Sequence, residues 1–179
     1  MLEPLPLWKS TLKSVAFVDN GSWASNLASW LDQRTSRKLA VRPIIGNVIF
    51  TFQRGLFETQ LKSCAPIDIA MSASLKIASA WESAIMASPI IILPGSSLGA
   101  PTPATTWSVV AAIIDPPSVM AGKALLIAKL ASAAAVDDGG DSHMAEAFRS
   151  ASQMLTVTAT GINSLPIPTP LLAPFTPTF

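Results

Sequence analysis

Apolar positions recur along this chain with two different periods, and the periods change from block to block. After Asn20-Gly21-Ser22, which are turn and cap types, Trp23, Leu27, Trp30 and Leu31 repeat at helical spacing until Gln33 to Lys38 turn polar and basic. This predicts a short amphipathic helix with a favourable cationic end. Leu39 to Ile45 and Val48 to Gln53 then flank Gly46-Asn47, a two-residue turn of the kind that closes hairpins, with Val48, Phe50 and Phe52 on one face. Pro43 assigns the first of these strands to an edge. Pro66 to Ser88 predicts a long helix that Asp68 would cap. Met71, Leu75, Ala78 and Ile85 line one side of it and Ile77, Trp81 and Ala84 another, so more than one face should be buried.

Farther along, Pro89 to Leu93 and Trp107 to Ile114 are β-like apolar runs, joined by an uncharged Gly/Pro/Ser/Thr loop. Asp115-Pro116-Pro117-Ser118 is a helix start, capped by Asp115 or by Ser118. In the helix that follows, Ala121, Ala124, Ala128, Ser132 and Ala135 form a nearly smooth side. Small residues at this spacing let backbones approach closely, so this face is expected to pack on another helix. Enlarging Ala128 to Leu should then overpack it. Asp137 to Ser142 end that helix and cap the next, whose apolar stripe is Met144, Phe148, Ala151 and Leu155. Ser164 to Phe179 carries five prolines and should run as an extended arm.

The expected fold is α+β: a small N-terminal helix plus β-hairpin module over 1–64, a mainly helical region with two apolar extended segments over 65–163, and an extended proline-rich C-terminal arm over 164–179. At 179 residues the chain can hold one ordinary core with arms, and two full domains would be crowded.

Composition changes the picture more than length does. Apolar residues make up 50% and charged ones 13%, about half the charged share of an average soluble domain. Charge is also unevenly spread, because Ser83 to Ile114 and Ser150 to Phe179 contain none at all. Those stretches need a solvent other than water. A bilayer asks for about twenty continuous apolar residues in a helix. Prolines and glycines interrupt both stretches, and the remaining apolar segment, Val119 to Val136, holds Lys123 and Lys129. The solvent left is protein, in the form of neighbouring subunits. A net charge of +1 gives little field with which to gather a polyanion, and the one basic cluster, Arg34, Arg37, Lys38 and Arg42, reads as a solvated helix end. Nucleic acid is therefore not an expected partner.

Candidate chemistry is sparse. Gly95-Ser96-Ser97-Leu98-Gly99 fits the G-x-S-x-G nucleophile elbow, with His143 as base and Asp115 or Asp137 as orienting carboxylate. The elbow needs a helix straight after the serine, and Pro101 and Pro103 oppose its start. A small serine esterase is thus the rival reading and a membrane-inserted protein a third. Asp137-Asp138-Gly139-Gly140-Asp141 could offer oxygens to a cation but lacks the closing glutamate of a calcium loop, Glu146 arriving inside the next helix. His143 is the sole histidine and Cys64 the sole cysteine. This leaves no intrachain disulfide and no Cys/His zinc set, and Cys64 reads as a small buried hydrophobe of a chain made in a reducing cytoplasm. The first residues, Met1 to Pro6, lack the basic and apolar regions of a secretory signal. Trp8, Trp23, Trp30, Trp81 and Trp107 read as core or interface anchors.

In general type the chain resembles the small virion proteins of tailed bacteriophages, which are compact, charge-poor and ended by an apolar arm that clips onto a neighbour. That resemblance implies a non-enzymatic structural subunit of the tail, baseplate, neck or capsid, assembled in the host cytoplasm into a virion. It implies copies of itself or other subunits as partners, and no cofactor, metal or small-molecule substrate. The contact residues expected on this reading are Leu165, Ile167, Leu171, Leu172, Phe175 and Phe179 of the arm, with Ala124 and Ala128 of the smooth helix face.

Overall fold

A computed structural model gives the architecture and describes residues 4–13, 22–41, 46–63, 70–93, 97–99, 106–133, 140–163 and 170–175. Its elements run α1 (Leu5–Lys13), α2 (Trp23–Thr35), β1 (Arg37–Val41), β2 (Gly46–Phe50), α3 (Arg54–Ser63), α4 (Ala70–Met86), β3 (Ile90–Ile92), β4 (Ser97–Gly99), β5 (Thr106–Ile114), α5 (Pro116–Ala133), α6 (Gly140–Gln153), β6 (Val157–Asn163) and β7 (Pro170–Phe175). The fold is α+β. Among the described residues, six helices pack with two antiparallel sheets, one ordered β1-β2-β3 and the other β4-β5-β6-β7.

Two helices escape the sequence reading. In α1, Trp8 and Leu12 stand four apart and are fully buried, and in α3 Phe57 and Leu61 do the same. Each helix buries a single i,i+4 pair, too short a pattern to stand out beside Pro4-Leu5-Pro6 or Arg54-Gly55. These pairs nonetheless complete the core. Trp8 meets Trp30 of α2 edge-on at 5.4 Å and 89°. Trp30 meets Phe148 of α6 at 6.1 Å, Phe148 meets Phe57 of α3 at 6.2 Å, and Phe57 meets Phe52 at 5.5 Å, all edge-to-face. This arrangement suits the ring quadrupoles, with the positive edge of one ring on the negative face of the next. The Trp30 indole also donates to Thr11 Oγ1 at 3.0 Å, tying α2 to α1.

The hairpin forms, but not about Gly46-Asn47. Gly46 pairs with Val41 and Asn47 with Ala40, so both lie in β2 and the connection falls on residues 42–45. Hydrophobic register outweighs the turn signal, because this pairing keeps Val48 and Phe50 buried on the helices. β1 is an edge strand as expected, while Pro43 lies outside the described residues.

Helix α4 is buried on more than one face, with Ser74, Ile77, Ala78, Trp81, Ala84 and Ile85 all enclosed. Leu75 is a correction, since it is exposed. It falls outside the arc that α3 and α5 cover. The larger correction concerns α5. Its buried stripe is Val119, Gly122, Leu126 and Leu130, held between α4 and α6. A Cβ on Gly122 would lie 2.7 Å from the Trp81 ring and 2.9 Å from the Ala151 carbonyl oxygen, so glycine is what lets three helices meet there. Ala121, Ala124, Ala128 and Ser132 point the opposite way and are exposed, packing on no described helix of their own chain. Ala135 lies outside the described residues.

The C-terminal segment is likewise not a free arm throughout. Pro170–Phe175 forms the edge strand β7 on β6 of its own chain, from Ile162↔Pro170 to Val157↔Phe175. An edge is the place in a sheet where prolines are tolerated. Leu165, Ile167 and Phe179 lie outside the described residues.

Candidate interaction surface

Serine hydroxyls fasten the elements that frame the outer surface. At the start of α5 the Asp115 carbonyl accepts from Ser118 N–H at 3.1 Å and Val119 N–H at 3.3 Å, making Asp115 the residue on which the helix begins. Ser118 does not cap the helix but bridges it to β6: its Oγ donates to the Asp115 carbonyl at 2.6 Å and accepts from Thr156 N–H at 3.0 Å. The Asp115 carboxylate accepts from Thr156 Oγ1 at 3.2 Å, and the Asp115 N–H donates to the Thr156 carbonyl at 2.9 Å. Two further serines, at the ends of α2 and α4, hold consecutive backbone N–H groups ahead of α3. Phe52 N–H donates to Ser36 Oγ at 2.8 Å and Gln53 N–H to Ser88 Oγ at 3.1 Å. Ser36 Oγ in turn donates to the Asp32 carboxylate.

With the frame so fixed, the polar and apolar side chains of α5 separate. Lys123 reaches sideways to Glu82 of α4 at 2.6 Å, and Lys129 to Glu146 of α6 at 2.9 Å. Glu146 also pairs with Lys9 of α1 at 3.6 Å. The Lys129 hydrogen bond and charge, aided by Lys9, hold the Glu146 carboxyl below the usual glutamate range. Both lysines of the helix are therefore engaged along its flanks. What faces outward from α5 is Met120, Ala121, Ala124, Ala128 and Ser132, all exposed and none charged.

Strands β3 and β5 add exposed apolar side chains of their own. Burial alternates along the strands: Ile90, Ile92, Ala112 and Ile114 lean on the core, while Ile91 and Ile113 are exposed, Ile113 to 62%. Isolated exposed apolar side chains are ordinary, but Leu75, Met86, Ile91, Ile113, Met120 and Met154 together form an unusual load for a chain with so few charges to offset them.

The residues proposed for chemistry do not assemble a catalytic constellation among the described residues. Ser97 lies within β4, paired with Ser108 of β5, and among the described residues the next helix begins at Pro116. A strand-to-helix elbow is not what holds it. His143 is exposed in the first turns of α6, and Asp115 is occupied by Thr156. Asp137, Asp138, Gly139 and Cys64 lie outside the described residues, as do Gly95, Ser96 and Arg42. Among the described residues no group of three His, Cys, Asp or Glu side chains could hold a metal ion. No helix there is long and apolar enough to cross a membrane. Trp8, Trp30 and Trp81 are buried in the core, the first of the two places expected for the tryptophans.

Comparison with protein-family models, with curated proteins and with solved structures finds no match to this chain.

Proposed function

We propose that the chain is a non-enzymatic structural subunit of a larger protein assembly, seated there by its outward α5 face and by its C-terminal segment. The observation that carries this reading is the division of labour on α5. Both of its lysines are spent on ion pairs within the chain, and its outward side presents Met120, Ala121, Ala124, Ala128 and Ser132 with no charge. A helix face meant for water ordinarily carries the charges instead. A flat surface of small residues gives a partner backbone close approach, and Ala124 and Ala128 at its centre are the contact residues we assign. Of the C-terminal contacts, Leu171, Leu172 and Phe175 belong to β7. The assembly class that suits this charge-poor layout is a tailed-bacteriophage virion, in its tail, neck, baseplate or capsid-associated parts. Its partners would be copies of itself or other virion proteins, and neither nucleic acid, cofactor nor small-molecule substrate enters the reading.

The test is the mass of the full chain in solution by sedimentation or light scattering, alone and mixed with the proteins encoded beside it. Assembly is expected, and Ala128→Asp should abolish it while leaving the circular dichroism spectrum unchanged. A chain that stays monomeric and soluble at every concentration and with every such partner would refute the proposal.

A further inference from the structure

The two sheets meet where β3 lies beside β5, with Cα atoms of the two strands within 8 Å of one another. Stacked sheets stand about 10 Å apart, so strands this close are neighbours in one layer. Side-chain sense agrees: Ile90 and Ile92 of β3 and Ala112 and Ile114 of β5 all lean on the core, while Ile91 and Ile113 are exposed to 53% and 62%. Yet β3 ends its own sheet, and β4, on the side of β5 away from β6, pairs with residues 106–108 alone. Among the described residues no backbone hydrogen bond joins β3 to β5.

Two hydrogen bonds fix which backbone groups face this seam. Thr51 N–H donates to the Pro89 carbonyl at 3.3 Å, one step beyond the Phe50↔Ile90 pair. Hydrogen-bonded pairs alternate along an antiparallel ladder, so Ile91 turns its N–H and C=O to β2, and Ile90 and Ile92 turn theirs away from it. Asp115 N–H donates to the Thr156 carbonyl at 2.9 Å, one step beyond Ile114↔Val157. By the same alternation Ile113 turns to β6, and Ala112 and Ile114 turn towards β3. Both strands thus present to the seam the backbone of their core-facing residues.

This match permits one kind of ladder. In a parallel pair, a residue whose N–H and C=O face the partner strand lies opposite one whose groups face away, which would set a core-facing side chain against an exposed one. In an antiparallel pair the opposite residues both face inward, with their side chains on one side. The register with full overlap is Ile90↔Ile114, Ile91↔Ile113 and Ile92↔Ala112. Its two outer pairs would each exchange backbone hydrogen bonds. Its middle pair sets the two exposed isoleucines opposite each other in the close, non-hydrogen-bonded arrangement that suits β-branched side chains.

The helices hold the seam apart. α4 leads into β3, β5 leads into α5, and the two helices pack on each other. Packed helices lie about 8–10 Å apart and laddered strands about 4.8 Å. At Gly122 the helices already stand as close as the Trp81 ring allows, so the mismatch is taken up between β3 and β5.

We infer that β3 and β5 form a closable seam, open in the structure described above and closed by a short movement that ladders Ile90 to Ile114 and Ile92 to Ala112. Closure joins the two sheets into one, covers Ile91 with Ile113, and removes two edges at which a foreign strand could pair. It is a movement within one chain and stands apart from the subunit reading.

Amide exchange on the native full-length chain tests it. Ile90, Ile92, Ala112 and Ile114 should exchange at least about tenfold more slowly than unstructured peptide and at least about tenfold faster than the laddered Ile91 and Ile113. Peptide-like rates would mean that the seam never closes, and rates equal to those of Ile91 and Ile113 that it never opens; either overturns the inference. A disulfide reads the register. In a Cys64→Ser background, Ile91→Cys with Ile113→Cys should close within the chain at least about tenfold faster than Ile91→Cys with Ala111→Cys, an exposed position two residues along the same face. The closed disulfide should also slow exchange at the four seam amides. Equal closure rates for the two pairs, or a disulfide that leaves those amides unprotected, refutes the register and with it the seam. Should a double variant fail to fold, the native exchange rates still decide.

Discussion

On its inner side α5 has no room for one added carbon at Gly122, where the Trp81 ring and the Ala151 carbonyl close in from two neighbouring helices. On its outer side Ala121, Ala124, Ala128 and Ser132 are exposed. The inner stripe of Val119, Gly122, Leu126 and Leu130 has one small residue, which a neighbouring ring requires, whereas the outer face has four. Small residues at helical spacing therefore indicate close approach without indicating to what. The side-chain volume of the neighbours decides it: Trp81 is large and needs a glycine opposite, whereas Ala124 and Ala128 are exposed.

The inner face is the more sensitive of the two. Trp81→Ala removes a fully buried ring at the meeting point of α4 and α5, and should cost about 3–5 kcal/mol in chemical denaturation. Gly122→Ala inserts a methyl where contacts of 2.7 and 2.9 Å await it. A loss of about 1–3 kcal/mol is expected, and pairing it with a smaller residue at 81 should recover part of it. Ser118→Ala leaves the Thr156 N–H without its acceptor at the α5–β6 junction and should cost at the lower end of about 1–3 kcal/mol. That loss would appear as faster amide exchange at Thr156.

A gentler probe is acid. Glu146 has its folded pKa lowered by Lys129 and Lys9, so its contribution to stability is present above the unfolded glutamate pKa and is lost as pH falls through the lower, folded value. Glu146→Gln should flatten the acid limb of the stability profile relative to the native chain, and identical limbs would show the junction of α1, α5 and α6 to be indifferent to this charge. The smallest effect belongs to the outer face. Ala128→Leu should change the isolated chain's unfolding free energy by no more than about 0.5 kcal/mol, because Ala128 is exposed. A loss on the scale of Gly122→Ala would erase the distinction between the two faces.

Elements whose stripes exceed two turns were legible from spacing alone. Trp23 to Leu31 marks α2, and Met144, Phe148, Ala151 and Leu155 mark α6 and its exit. The strands β3 and β5 announced themselves as apolar runs bounded by proline and threonine. α1 and α3 did not, since each helix relies on one buried pair whose meaning comes from the aromatic partners supplied elsewhere in the chain. The turn at Gly46-Asn47 misled because local turn chemistry yields to the burial of Val48 and Phe50. β6 was hidden by Thr158, Thr160 and Gly161, which look like loop residues until a partner strand gives them a ladder. For the interaction surface, the sequence displayed the smooth face of α5 but not its orientation, which depends on where Trp81 and Phe148 place α4 and α6.

The docking of α1 on α6, sealed by Lys9 and Glu146 across more than a hundred residues of chain, bears on how this protein comes into being. A chain emerging from the ribosome exposes Trp8 and Leu12 well before the helix that will cover them has been made. Such distant pairing slows folding and leaves intermediates with apolar surface open to the wrong neighbour. For a molecule with so little charge to keep its copies apart, the interval before α6 arrives is the moment of greatest risk, and synthesis at low temperature or beside a holding chaperone should raise the yield of folded chain.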